Sequence, residues 1–97
     1  MSRLAVLPAP LATEVEARAL AGDADAWGQL ARRHEHRVLV SLLARGVPLE
    51  EARDLVQETW ADLMKATLAR KLARLEMPGL AVTHAQFLLG KRARRHR

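Results

Sequence analysis

Glu50-Glu51-Ala52-Arg53-Asp54-Leu55-Val56-Gln57-Glu58-Thr59-Trp60-Ala61-Asp62-Leu63 is a segment with two faces. Ala52, Leu55, Val56, Thr59 and Leu63 recur at three- and four-residue steps, the period of one buried side of an α-helix, with Trp60 and Met64 at its flank. The opposite side collects Glu50, Glu51, Asp54, Gln57, Glu58 and Asp62. Pro48 suits the first turn of such a helix, and the two glutamates that follow sit where the helix dipole favours negative charge. Asp54, Glu58 and Asp62 stand four residues apart and stack in one column, an arrangement that mildly destabilises an isolated helix. A solvated face is the ordinary fate of a charge run. The alternative is an outside partner that compensates the carboxylates.

Toward the N-terminus, Gly46 closes a second amphipathic run in which Trp27, Leu30, Ala31, His34, Val38 and Leu42 share one stripe, and Asp23 or Asp25 can cap its start. Thr13-Glu14-Val15-Glu16 has the form of a capping box, which predicts a short first helix over residues 13–21 with Gly22 as its stop. Residues 1–12, interrupted by Pro8 and Pro10, are expected to form a flexible lead-in. Toward the C-terminus, Leu68, Leu72 and Leu75 continue the helical spacing of the third run, and residues 66–77 have helix-forming composition without glycine. Pro78 and Gly79 mark a break, after which Ala81, Ala85, Leu88 and Leu89 share one side of a fourth helix. The expected fold is all-α, a compact four-helix bundle over residues 13–97 with a basic end at 91–97 and no internal repeat.

Composition agrees. A chain of 97 residues supports one domain with a modest core. Its hydrophobic residues are mainly Ala and Leu, with one Phe, two Trp and no Tyr, which favours helix over sheet. The absence of Cys excludes disulfides and thiolate metal sites. No apolar run approaches the roughly 20 residues needed to cross a bilayer, and the two early prolines interrupt any signal-peptide core. A soluble, cytoplasmic protein without a membrane partner is expected. The net charge of +5 is unevenly placed. Residues 1–90 contain eleven Lys and Arg against eleven Asp and Glu, whereas Lys91-Arg92-Ala93-Arg94-Arg95-His96-Arg97 holds five cations and no acid. Such an arm on a neutral body suits a polyanion.

The order of residues adds a resemblance. Ala21-Gly22-Asp23-Ala24-Asp25-Ala26-Trp27, then Leu30, Arg32, Arg33 and His34, then Glu51-Ala52-Arg53-Asp54-Leu55-Val56-Gln57-Glu58-Thr59-Trp60 resembles region 2 of the extracytoplasmic-function sigma factors, in the sigma-70 family. The likeness covers roughly residues 13–97, and Asp-Leu-Val-Gln-Glu is its most specific part. It implies a bundle of the sigma region 2 type and a role in transcription initiation. In that family the third helix contacts the β′ clamp helices of RNA polymerase core, a coiled coil rich in Arg. Carried over by position, Asp54, Gln57 and Glu58 would face polymerase, with Glu51 and Asp62 beside them. Carboxylates opposite Arg form charge-assisted, bidentate bonds, and Gln adds neutral hydrogen bonding between them. Arg53 departs from the acid usual at its position.

The same resemblance makes the fourth helix the reader of minus-ten promoter DNA, with Thr83 and Gln86 on the helix and Lys91, Arg92, Arg94, Arg95 and Arg97 on phosphates. An anti-sigma factor is a further candidate partner. Here the chain departs more from the family: Leu80 replaces Trp, Gln86 and Phe87 replace an Arg-Asn pair, and Lys91 replaces Asp. An extruded base needs stacking surfaces and polar groups for its edge. The departures therefore keep a second hypothesis open, a sigma-like regulator or decoy that binds polymerase or an anti-sigma factor without melting DNA. A third hypothesis treats residues 43–52 as the turn of a helix-turn-helix, with the next helix in the major groove; the acids on that helix oppose it, since phosphates repel them. Between Lys65 and Pro78 the family has a base-capturing loop, whereas helical composition here predicts a remodelled or absent pocket.

Other chemistry is not indicated. His34-Glu35-His36 places its imidazoles two residues apart, in different directions on a helix, with no third ligand at metal spacing. His84 reads as a partly buried structural residue, and Trp27 and Trp60 as core. No nucleophile triad, phosphate-binding Gly loop or paired catalytic carboxylates occur, so neither an enzyme nor a cofactor is expected.

Overall fold

A computed structural model describes residues 8–95 of the chain, and side chains from Glu14 onward. Four helices follow one another: α1 (Pro8–Leu20), α2 (Ala24–Leu43), α3 (Leu49–Leu68) and α4 (Gly79–Arg95). No strand occurs among the described residues, and the all-α, four-helix expectation holds. α1 packs on α2, and α2, α3 and α4 pack on one another.

Local chemistry explains where most helices begin and end. Asp23 is the N-cap of α2, and its carboxylate accepts from the backbone N–H groups of Asp25 and Ala26 at 2.9 and 3.2 Å, satisfying two donors that the helix leaves unpaired. α1 stops just before it. The Gly22 N–H bonds to the Ala19 carbonyl and the Asp23 N–H to the Arg18 carbonyl, both at 3.0 Å, with Gly22 at φ +98°. These paired bonds around a left-handed residue form a Schellman stop.

Two expectations need correction. α1 begins at Pro8, inside the stretch read as a lead-in and ahead of the capping box at Thr13. Proline fits the first turn because the N–H groups there have no helical partner to lose, so Pro8 and Pro10 open the helix instead of preventing it. Residues 1–7 lie outside the described residues. The second correction concerns α3, which ends at Leu68, so that residues 69–78 form an irregular connection and not a continuation. The stop is again a Schellman pair: the Arg70 N–H bonds to the Thr67 carbonyl and the Lys71 N–H to the Ala66 carbonyl, each at 2.9 Å. Arg70 takes φ +58°, where glycine is usual. Turning the chain here lets Leu75 reach full burial, at 1% exposure, and Leu72 pack against the core. A straight helix would carry both beyond the end of the bundle.

The core gathers Trp27, Leu30, Val38 and Leu42 from α2, Leu55, Val56, Trp60 and Leu63 from α3, and Ala81, Ala85 and Leu88 from α4. Each leucine or valine among them contributes about 1.5–3 kcal/mol by burial. Both tryptophans are core, as expected, and the Trp27 Nε1–H donates to the Ala19 carbonyl at 2.9 Å, tying α2 to α1. The Trp60 Nε1–H is buried without a partner among the described residues. Thr59 and Thr67 share the apolar stripe because their hydroxyls donate back to the Leu55 and Leu63 carbonyls at 2.8 and 2.9 Å.

Candidate functional site

α3 presents its outer face between two neighbours, and the acids divide accordingly. Asp54, Gln57 and Glu58 are all exposed; at about 100° per residue they span an arc of about 100° on one ridge. Asp54 and Gln57 border an open groove of about 530 Å³ between α3 and α2, whose other walls are Arg53, Val56, Glu35, His36 and Leu39. Arg53, the departure from the acidic pattern, thus places a cation beside Asp54.

Glu58 lies toward α4. The Arg92 guanidinium donates to its carboxylate, Nη2 to Oε1 at 3.2 Å, and Arg92 Nη1 stands 3.8 Å from Glu51 Oε2. Asp62, further along the same flank, accepts a hydrogen bond from His84 Nε2 at 3.0 Å. Arg92 opposite Glu51 and Glu58, with His84 opposite Asp62, makes α4 antiparallel to α3. Of the five residues expected on the polymerase face, Asp54 and Gln57 remain open to a partner, while Glu51, Glu58 and Asp62 already hold contacts from α4. His84 is half-buried and tied to Asp62, in keeping with a structural role.

The residues expected on DNA also divide. Lys91, Arg94 and Arg95 are exposed and enter no ion pair among the described residues. Arg92 is turned inward to α3, and Arg97 lies outside the described residues. Thr83 is exposed and Gln86 half-buried. Thr83 borders an open depression of about 810 Å³ with Arg74, Glu76, Met77, Gly79 and Leu80, at the join of α4 with the irregular connection. Phe87 stands outward on the same helix at 54% exposure, its ring centroid 5.7 Å from that of His84.

No family model, curated protein or solved structure matches this chain. Among the described residues no cluster of His, Asp and Glu can hold a metal ion, and no helix is long and apolar enough to cross a membrane.

Two features of the site escaped sequence reasoning. One is the Arg92 clasp, which joins residues 34 positions apart and leaves no local pattern. The other is the irregular connection that brings Arg74 and Glu76 beside Thr83; the positive φ of Arg70 that starts it has no glycine to announce it.

Proposed function

We propose that this chain is a region 2 domain of a sigma factor, a non-enzymatic module that docks on the β′ clamp helices of RNA polymerase and engages minus-ten promoter DNA. What carries the reading is the ridge of Asp54, Gln57 and Glu58, exposed on one helix in the order Asp-Leu-Val-Gln-Glu that resembles the family's polymerase contact. An Arg-rich coiled coil is complementary to it in charge and hydrogen bonding. The groove beside Asp54 and Gln57 offers room for side chains of such a partner. DNA engagement rests on Lys91, Arg94 and Arg95, which point to solvent beyond the bundle and suit phosphates. An irregular connection at residues 69–78, where the family has its base-capturing loop, supports strand engagement as well.

The decisive measurement is binding to isolated β′ clamp helices. Asp54→Arg and Glu58→Arg should each weaken it at least about ten-fold, since each replaces an attraction by a like-charge contact; reversals that bind as tightly as the parent remove the docking assignment. A decoy that occupies polymerase or an anti-sigma factor without melting DNA is the second reading. It is favoured by α4, where Leu80 packs against the core and exposed Phe87 is apolar, so that neither offers a polar group to a base edge. Sequence-specific binding to single-stranded minus-ten DNA separates the two, because only the first reading requires it.

A further inference from the structure

The formal neutrality of residues 1–90 conceals a separation of charge in space. The acids concentrate on α3, and α2 carries Arg32, Arg33 and Arg37, all exposed. None of these three guanidiniums enters an ion pair among the described residues. Arg33 and Arg37 are four residues apart, so they stack on one side of the helix and repel each other without an internal counter-charge. Glu35 and Leu39 mark the flank of α2 that faces the α3 groove, with His36 on its outer rim; Arg37 falls about 160° from Glu35 and Leu39, and Arg33 about 160° and about 120° from them. They therefore lie on the flank away from the acidic helix.

The local field is visible in His34, whose imidazole is held below its ordinary pKa by burial first and then by the positive charges of Arg33 and Arg37. Glu16 of α1 approaches this side and feels both Arg33 and Glu76, without an ion pair to Arg33. α2 and α3 are antiparallel across a short turn, and α4 is antiparallel to α3. Hence α2 and α4, which pack together, run in the same direction, with Arg33 and Arg37 midway along α2 and Lys91, Arg94 and Arg95 in the last turns of α4.

We propose that Arg33 and Arg37 of α2 form a phosphate-binding track that works with Lys91, Arg94 and Arg95 of α4 to hold a nucleic-acid backbone. The track takes phosphodiesters without regard to sequence, since guanidiniums on a convex helix reach backbone oxygens and offer no register for base edges. It extends the DNA contact of this protein beyond the basic end, and it rests on the reading that the chain binds nucleic acid.

The test uses the whole chain and a fluorescently labelled single-stranded oligonucleotide of scrambled sequence, titrated over a range of salt. Arg33→Gln/Arg37→Gln should reduce the slope of log affinity against log salt by about 1.4, two contacts at about 0.7 each, and so weaken binding roughly ten-fold near physiological salt. Arg33→Lys/Arg37→Lys should keep the slope, and clamp-helix binding should not change in either variant. Far-UV circular dichroism identical to the parent excludes unfolding as the cause, since both positions are exposed. An unchanged slope in Arg33→Gln/Arg37→Gln, beside a reduced one in Arg94→Gln/Arg95→Gln, overturns the track and leaves the nucleic-acid reading standing. A parent that binds no oligonucleotide overturns both. Binding to phosphatidylglycerol vesicles, lost in the same double variant while oligonucleotide binding is not, overturns the track in favour of a membrane surface.

Discussion

Arg92 Nη2 lies 3.2 Å from Glu58 Oε1, so the helix with the basic end is clasped to the acidic ridge of its neighbour. The two residues were expected to serve different partners, DNA and polymerase. All three groups of the clasp, Arg92, Glu51 and Glu58, are 29–44% exposed at their side chains, and ion pairs in such surroundings contribute about 0–1 kcal/mol. Opening it is therefore cheap. Arg92→Ala is expected to lower unfolding stability by less than about 1 kcal/mol and to tighten binding of the clamp helices, because Glu51 and Glu58 lose their internal competitor. Urea denaturation and clamp-helix titration measure the two effects. Weaker clamp binding would instead make Arg92 the residue that positions Glu58.

Leu75 is the anchor of the irregular connection. It is fully buried although no helix supports it, so its side chain, the most buried of the connection beside Leu72 and Met77, draws residues 69–78 against the bundle. Leu75→Ala should cost about 2–5 kcal/mol, the range for emptying a buried leucine site. Amide exchange in the connection should rise more than in α2 or α3. Loss of stability spread evenly over the chain would count against an anchoring role.

The divide between what local pattern carries and what it misses is clear in these elements. Trp27, Leu30, Val38 and Leu42 declare their helix because burial on one face imposes a period, and Asp23 declares its cap because the interaction spans only three residues. Residues 69–78 have helical composition, yet burial of Leu72 and Leu75 outweighs propensities worth less than about 1 kcal/mol per residue. Pro8 and Pro10 resemble breakers in a list of residues and are starters once the helix is seen to begin with them. The outward ridge of α3 was legible for the same reason as the core, as the complement of the buried stripe. The hold of α4 on Glu51, Glu58 and Asp62 was not, since it depends on how the bundle closes.

Arg70 sits at φ +58°, where a side chain other than glycine costs roughly 1–2 kcal/mol. Its neighbours tolerate glycine, since the residue is exposed and no ion pair among the described residues depends on it. Arg70→Gly should therefore raise stability by about 1 kcal/mol, after the greater chain entropy of glycine is subtracted. Arg70→Val should lower it, because β-branched residues suit the left-handed region least. Urea midpoints of the three proteins should rank glycine, arginine, valine; a glycine variant no better than the parent would mean that the turn is not strained at this residue.

His34 gives stability a pH dependence whose sign follows from its surroundings. Burial, then the charges of Arg33 and Arg37, hold the folded imidazole below its ordinary pKa. The unfolded chain therefore takes up the proton first as pH falls, and the linkage relation makes unfolding easier in that interval. The contribution is complete above the unfolded value of about 6.5 and is lost progressively as pH drops through the lower, folded value. His34→Gln removes the titration and keeps a polar side chain of similar reach. Melting temperatures of the two proteins should diverge from their neutral-pH difference as pH falls from about 7.5 to 5, with the parent losing more. Parallel curves would show that His34 is not shifted, and a parent that gains stability toward acid relative to the variant would reverse the sign and place a carboxylate, not Arg33 and Arg37, as the dominant neighbour.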